Sequence, residues 1–367
     1  LANPNFFIKE NILKDVLKQI ILLEAKLMTG FMMNDGLWLK GSLHCHSTLS
    51  DGLLMPEDVA RFYEERDYML LSITDHNKIC KVKDFKGVYI YGIEVSKGKC
   101  KLGESYHIVA LGFDDPAVLN ISDAQSTIDY INGSGGLAFI AHPYWSNLVY
   151  EDLSTLTGYV GIEIYNTGCD VEVAKGYSLI HWDCLLSSGR KMLGLAVDDA
   201  HRYFKPPIDA NGGWIWVNVN DVSAEGALKA IRDGRFYSSM SPKILLFNYT
   251  LNSLSIDSTP VNRVNLITLN GRGLSVTLDT ITRLLDFWMH PEKRKICEDT
   301  VADIDFSNEG NRQKVYIETK KNEKILIELN NKGIVKTEVK KEFKYPYLRV
   351  EIVDSEGKCA WINPICP

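Results

Sequence analysis

Between Trp38 and Ser239 short apolar runs alternate with helical segments, and this alternation limits the available folds more than any other feature of the chain. The strand-like runs are WLKGSLHCHS, MLLSITDH, VYIYGIEVS, YHIVALGF, LAFIAHP, YVGIEIYN and MLGLAVDDAH. Helical segments lie between several of them: MPEDVARFYEERDY, with Pro56 in its first turn, DAQSTIDYINGSGG, and stretches near 147–156 and 171–189. GGWIWVNVN, the helix SAEGALKAIRDG and the strand RFYSS close the series. Repeated strand-then-helix units predict a parallel sheet covered by helices. Seven or so units in about 200 residues suit a closed barrel better than an open sheet.

After Ser239 the texture changes. KILLFNYTL, VNLITLNG, LSVTL, KVYIETK, KILIELN, YLRVEIVDS and CAWINPI read as strands separated by Gly, Asn and charged turns. They predict an antiparallel β-sandwich over 241–367, with a charged helical insert near 280–300. Ahead of the barrel, Ile8, Ile12, Val16, Ile20, Leu23 and Leu27 recur at helical spacing, so residues 1–37 read as an amphipathic helical extension.

Charge and cysteine content narrow the setting. A net charge of −6 argues against a general nucleic-acid binder. No apolar run reaches the roughly 20 residues of a membrane helix, and no secretory signal pattern is visible. The eight cysteines form no CxxC pair, which reads as reduced thiols in a cytoplasmic protein.

The histidines carry the chemistry. Six of eight lie at or near the strands of the first domain, interleaved with acids: HCH at 44–46, TDH at 74–76, DAH at 199–201, and His107 and His142. In a strand, residues i and i+2 point the same way, so His44 and His46 can share one ion while Cys45 faces away. Asp199 and His201 form a second such fork. In a parallel barrel the carboxyl ends of the strands converge on one rim. His44, His46, His76, Glu94, His142, Asp199 and His201 fall at such ends, while His107 lies nearer a strand start. His181, in a helix, reads as structural, and His290 as exposed in the insert.

LHCHSTLSDG, ITDHN, GIEVS, AHP and DDAH, in that order, resemble the metal-binding motifs of the PHP (polymerase and histidinol phosphatase) superfamily. HPYW, GIEIYN, HWDCLL, GLAVDDAH, GGW, FYSS and RVEIVDSEGKCAWINPI are similar to its carbaryl-hydrolase-like metallohydrolase branch, in which a β domain follows the barrel. The resemblance implies a distorted (β/α)7 barrel over 38–240. It also implies three metal sites: His44, His46, Glu94 and Asp199 at the first; Glu94, His107 and His142 at the second; Asp51, His76 and His201 at the third. Nitrogen and carboxylate ligands without thiolate suit Zn²⁺, Mn²⁺ or Fe²⁺, two to three ions in all. Ions bridged by Glu94 would lower the pKa of a shared water, giving a metal-bound hydroxide as nucleophile. Asp75 and Asp198 sit beside ligands but by alternation point away from them; one of the two is expected to hydrogen-bond ligand histidines, the other reading being a structural or solvated acid.

Arg202, Lys78, Asn166, Tyr144 and Trp145, with Tyr165 and Tyr203, stand just past strand ends and are the substrate-binding candidates. Arg202 has the fork for a phosphate or carboxylate, and Tyr144 and Trp145 can wall an apolar group. The leading expectation is a phosphoesterase acting on a small anionic ester. A carboxyl- or carbamate-ester hydrolase on the same site is the alternative, and a non-catalytic metal-binding interaction module the third reading.

Overall fold

The structure, a computed structural model, describes residues 36–366; the amphipathic helix expected over 8–29 lies outside them. Two mixed sheets carry the N-terminal half. In the first, β1 (Leu37–Ser42), β2 (Leu70–Leu71) and β3 (Val88–Tyr89) run parallel. In the second, β4 (Gly92–Lys97), β5 (Tyr106–Leu111), β6 (Leu137–Ile140), β7 (Gly161–Asn166) and β8 (Leu193–Val197) are adjacent in that order. Isolated bridges between Cys45 and Ala200, and between His76 and Glu94, tie the segments beyond β1 and β2 to the second sheet.

The all-parallel expectation needs correction. β6–β7–β8 are parallel, but β4–β5 and β5–β6 are antiparallel. The connection from β4 to β5 spans only residues 98–105, with Gly98 and Gly103 at positive φ. A link that short closes a hairpin and cannot make a parallel crossover. On the other flank, β9 (Trp214–Val219) lies antiparallel to β1.

Helix starts follow local chemistry. Pro56–Glu64 begins with Pro at its first turn and Glu57 and Asp58 behind it, where acids favour the helix dipole. Asp123 and Ser223 cap Ala124–Gly133 and Ala224–Arg232 by accepting the amides of Ser126 and Gly226. The helix expected near 171–189 is two helices, Thr167–Val173 and Leu179–Ser187. Ala174 at φ 58° breaks them, and at Gly176 a Cβ would lie 2.4 Å from Asp170 Cβ.

The C-terminal half is antiparallel β. A six-stranded sheet is ordered β11 (Ile244–Thr250), β12 (Ser253–Val261), β18 (Gly333–Lys340), β17 (Lys324–Asn330), β16 (Arg312–Thr319), β15 (Val301–Glu309). Its inner face packs Leu254, Ile256, Val315, Ile327 and Val339 in one core with Val264, Val350 and Ile352 of a second layer. Two antiparallel sheets face to face make a sandwich core. That second layer holds β13 (Arg263–Ile267), β14 (Gly273–Thr277), β19 (Leu348–Val353) and β20 (Cys359–Ile365). It continues without a break into the N-terminal sheet, because β20 pairs with β10 (Phe236–Ser239) and β10 with β9. The chain near residue 240 is therefore part of one nine-stranded sheet. The insert is the helices Leu278–Met289 and Pro291–Arg294.

An ion pair fastens the halves. Arg349 Nε and Nη2, buried on β19, donate to Asp183 Oδ1 and Oδ2 at 2.7 and 2.6 Å. Removing Asp183 strands a buried guanidinium. Asp183→Ala is expected to destabilise the protein by about 3 kcal/mol, at the low end for a buried pair because Asp183 is partly solvated. The urea midpoint reads this as a downward shift, and an unchanged midpoint would refute it.

Candidate metal centre

His44 and His46 follow β1 on an extended segment, and both imidazoles are fully buried. Cys45 between them turns its thiol the other way, 3.5 Å from the Ser72 carbonyl, as strand alternation requires. Backbone bonds seat the facing segment: the Asp199 amide donates to the His44 carbonyl and the His46 amide to the Ala200 carbonyl, both at 2.9 Å. Asp199 and His142 have φ of 54° and 28°. Left-handed backbone at non-glycine residues costs of order 1–3 kcal/mol and clusters at functional sites.

Glu94, on β4 and buried, is the hub. Its Oε1 faces His107 Nδ1 at 2.8 Å and His142 Nε2 at 3.5 Å. Its Oε2 faces His76 Nδ1 at 2.9 Å, His44 Nε2 at 3.3 Å and His46 Nε2 at 3.4 Å. Asp199 Oδ1 lies 3.0 Å from His46 Nε2 and 3.3 Å from His44 Nε2. Asp51 is half exposed, with its oxygens 3.5 Å from His201 Nε2 and 3.6 Å from His76 Nε2. It sits on a turn made possible by Gly52, where a Cβ would come within 2.4 Å of the His46 carbonyl oxygen.

The nine residues singled out from the sequence thus converge in three groups whose ligand atoms lie within 4.8 Å of one another, and which could hold metal ions. The groups are His44, His46, Glu94 and Asp199; Glu94, His107 and His142; and His46, Asp51, His76 and His201. His46 in the third group is an addition to the sequence reading. His181 stands apart, its Nε2 donating to the Leu148 carbonyl. His290 sits in the insert beside Asp286.

Charge in this pocket is strongly coupled. Burial opposes protonation of His44, yet Asp199, Glu163 and Glu94 together raise its pKa well above the ordinary imidazole value. Burial likewise opposes ionisation of Glu94 and Asp199, but the surrounding imidazoles, His44 foremost, hold both carboxyls well below their usual range.

Which groups orient the histidines differs from expectation. Neither Asp75 nor Asp198 reaches a ligand histidine. Asp75 accepts from the Ser47 amide and from the Ser47 and Ser50 hydroxyls. Asp198 accepts from Tyr63, Thr167 and the amides of Asn211, Gly212 and Gly213. Strand alternation turns both carboxylates away from the pocket, where they pin adjoining loops. The residue missed is Glu163, buried on β7. It accepts from His44 Nδ1 at 2.6 Å, the His142 amide at 2.7 Å and Asn166 Nδ2 at 2.9 Å. Its signal was a lone acid inside the apolar run GIEIY.

Above the cluster opens a cleft of about 580 Å³. Of the substrate candidates, Arg202 and Trp145 line it, and Lys205 joins them. Arg202 pairs with Glu172, which also lines the cleft. Asn166 is buried, donating to Glu163 and Asp199. Tyr165 lies in the core. Tyr203 is buried with its hydroxyl donating to the His46 carbonyl at 2.6 Å. Tyr144 and Lys78 are not among the lining residues, and the Tyr144 ring lies beside His181 instead.

No protein-family model and no curated protein matches the chain. Among solved structures it is similar to a two-domain protein of Bacteroides vulgatus containing a predicted PHP-like metal-dependent phosphoesterase. That match has 14% identity over 89% of this chain and 93% of the other, with a TM-score of 0.47. It is also similar to a candidate metal-dependent phosphoesterase of Bifidobacterium adolescentis, at 14% identity over 45% and 89% of the two chains and a TM-score of 0.36. The third similar structure is an amidohydrolase of Chromobacterium violaceum with bound sulfate and no metal, at 16% identity over 53% and 96% and a TM-score of 0.36.

Proposed function

We propose that the chain is a metal-dependent phosphoesterase, built on a PHP-type barrel with two to three divalent ions held by the nine clustered residues. The observation that carries the reading is the set of contacts around the His44 ring. A carboxylate can only accept, so the 2.6 Å contact keeps a proton on His44 Nδ1, donated to Glu163. In the neutral ring, Nε2 is then a bare lone pair, facing Glu94 Oε2 and Asp199 Oδ1 at 3.3 Å each. Three acceptors converging in a buried pocket repel one another unless a cation lies among them; without metal the raised pKa of His44 places a proton there, and a bound metal ion would take that proton's place. His142 is oriented alike: Nδ1 is 3.0 Å from Ser146 Oγ, leaving Nε2 to face Glu94. Nitrogen and oxygen donors without thiolate fit zinc, manganese or iron.

Bound ions supply Lewis acidity and a nucleophile drawn from water at neutral pH. The protein does the rest. Glu94 spreads its two oxygens over two groups and fixes their separation. Glu163 sets the tautomer of His44, and Ser146 Oγ holds the His142 ring in place through Nδ1. Three divalent ions against Asp51, Glu94 and Asp199 leave about +3 at the site, or about +2 once Glu163 behind His44 is included. Such a field favours a phosphoryl group over a neutral ester, and Arg202 and Lys205 add donors for it.

A carboxyl- or carbamate-ester hydrolase on the same site is the second reading, favoured by Trp145 on the cleft wall. Elemental analysis is expected to give two to three equivalents of metal per chain. A turnover screen is expected to find phosphate esters hydrolysed faster than carboxyl or carbamate esters. Arg202→Ala should then lower kcat/KM on phosphate esters by roughly 10- to 100-fold. A chain that takes up no metal overturns the site assignment. Carboxyl or carbamate esters turning over at least about tenfold faster than any phosphate ester would transfer the assignment to the second reading.

A further inference from the structure

The cleft is larger than a phosphoryl group requires, and its lining mixes charged and apolar residues. A volume of about 580 Å³ is in the range that accommodates a whole small molecule. Arg202 and Lys205 supply the cationic part of its lining; Trp145, Leu53 and Pro206 supply an apolar part.

Trp145 is fixed rather than dangling. It lies in the turn after β6, where the Ser146 amide donates to the His142 carbonyl and the Leu148 amide to the Pro143 carbonyl. Its ring meets two ligand histidines edge-on, with centroids 5.0 Å from His142 and 5.8 Å from His107. More than a third of the residue is still exposed. A large aromatic left uncovered against the rings of the metal cluster offers area to whatever occupies the cleft. Leu53 and Pro206 stand on neighbouring loops fastened together, the Leu53 amide donating to the His201 carbonyl at 2.7 Å. Leu53, in the lining of the cleft, is 51% exposed.

We infer that the alcohol portion of the substrate is an aromatic ring system seated against Trp145, so that the substrate class is an aryl phosphate ester. This rests on the phosphoesterase reading. The phosphoryl group then lies over the metal cluster toward Arg202 and Lys205. The aryl group takes the apolar wall, with the edge of its π-system or its face available to the indole.

The test compares phenylphosphonate with ethylphosphonate, which share a headgroup and have no ester bond to cleave. Binding to the metal-loaded protein is read by quenching of tryptophan fluorescence and by competition with a phosphate ester. Phenylphosphonate is expected to bind roughly tenfold more tightly than ethylphosphonate. That ratio should collapse toward one in Trp145→Ala and persist in Trp145→Phe, which keeps a ring against His107 and His142. Equal affinities in the unmodified protein, or a ratio unchanged in Trp145→Ala, would overturn the inference while leaving the phosphoesterase reading standing. Failure of both phosphonates to bind, with no phosphate ester hydrolysed, would remove that reading and the inference with it.

Discussion

Glu94→Gln is expected to lower kcat/KM on any ester the protein hydrolyses by at least about 1000-fold, equivalent to about 4 kcal/mol of transition-state stabilisation. The amide is isosteric, so the loss would come from charge and donor count rather than from packing. Glu94 faces five imidazoles through two oxygens. A glutamine offers one oxygen, and its NH₂ points a donor at the positions a cation must occupy. Two of the three groups lose a member together, so metal content should fall by more than one equivalent. Asp199→Ala should behave alike, since Asp199 belongs to the first group. His181→Ala is the control, because that ring bonds only the Leu148 carbonyl, and it should keep most activity. Circular dichroism would establish that each variant is folded. A folded Glu94→Gln protein with full metal content and near-normal turnover would remove the proposed centre.

The sequence made the pocket legible because its chemistry is local. Residues i and i+2 on one strand share a face, so HCH at 44–46 announces a fork, and the structure has both imidazoles in the pocket with Cys45 turned into the core on the opposite face. The same alternation, applied to Asp75 and Asp198, shows why neither reaches a histidine, and the second of them instead binds the Asn211–Gly213 amides. Partners chosen across the fold were harder to see. Nothing beside His44 in the sequence points to Glu163, 119 residues away. Only the cost of placing a carboxylate in an apolar strand signals a buried donor waiting for it. Sheet pairing was legible in part. The Gly-bearing link over 98–105 is a hairpin signal, whereas the pairing of β20 with β10 joins segments more than a hundred residues apart. That long-range contact is why the sandwich shares a layer with the N-terminal sheet.

Glu163→Gln should weaken metal binding by roughly 10- to 100-fold, the usual cost of disturbing a group that orients a metal ligand. Glu163 accepts from three donors: His44 Nδ1–H, the His142 amide and Asn166 Nδ2. Glutamine has one carbonyl oxygen and one NH₂, so either orientation sets a donor against a donor. Turned one way, it pushes His44 off its tautomer. Turned the other, it presses on the backbone of His142, which already sits at φ 28°. Because His44 and His142 belong to different groups, both groups should weaken, and a chelator competition should show two equivalents released earlier than in the unmodified protein. Glu163 does not line the cleft, so its part is positioning. With metal in large excess kcat should recover to within a few-fold, while Glu94→Gln should not recover at all. A Glu163→Gln protein that binds metal within about twofold of normal would show that His44 is held by the fold around it and not by this carboxylate.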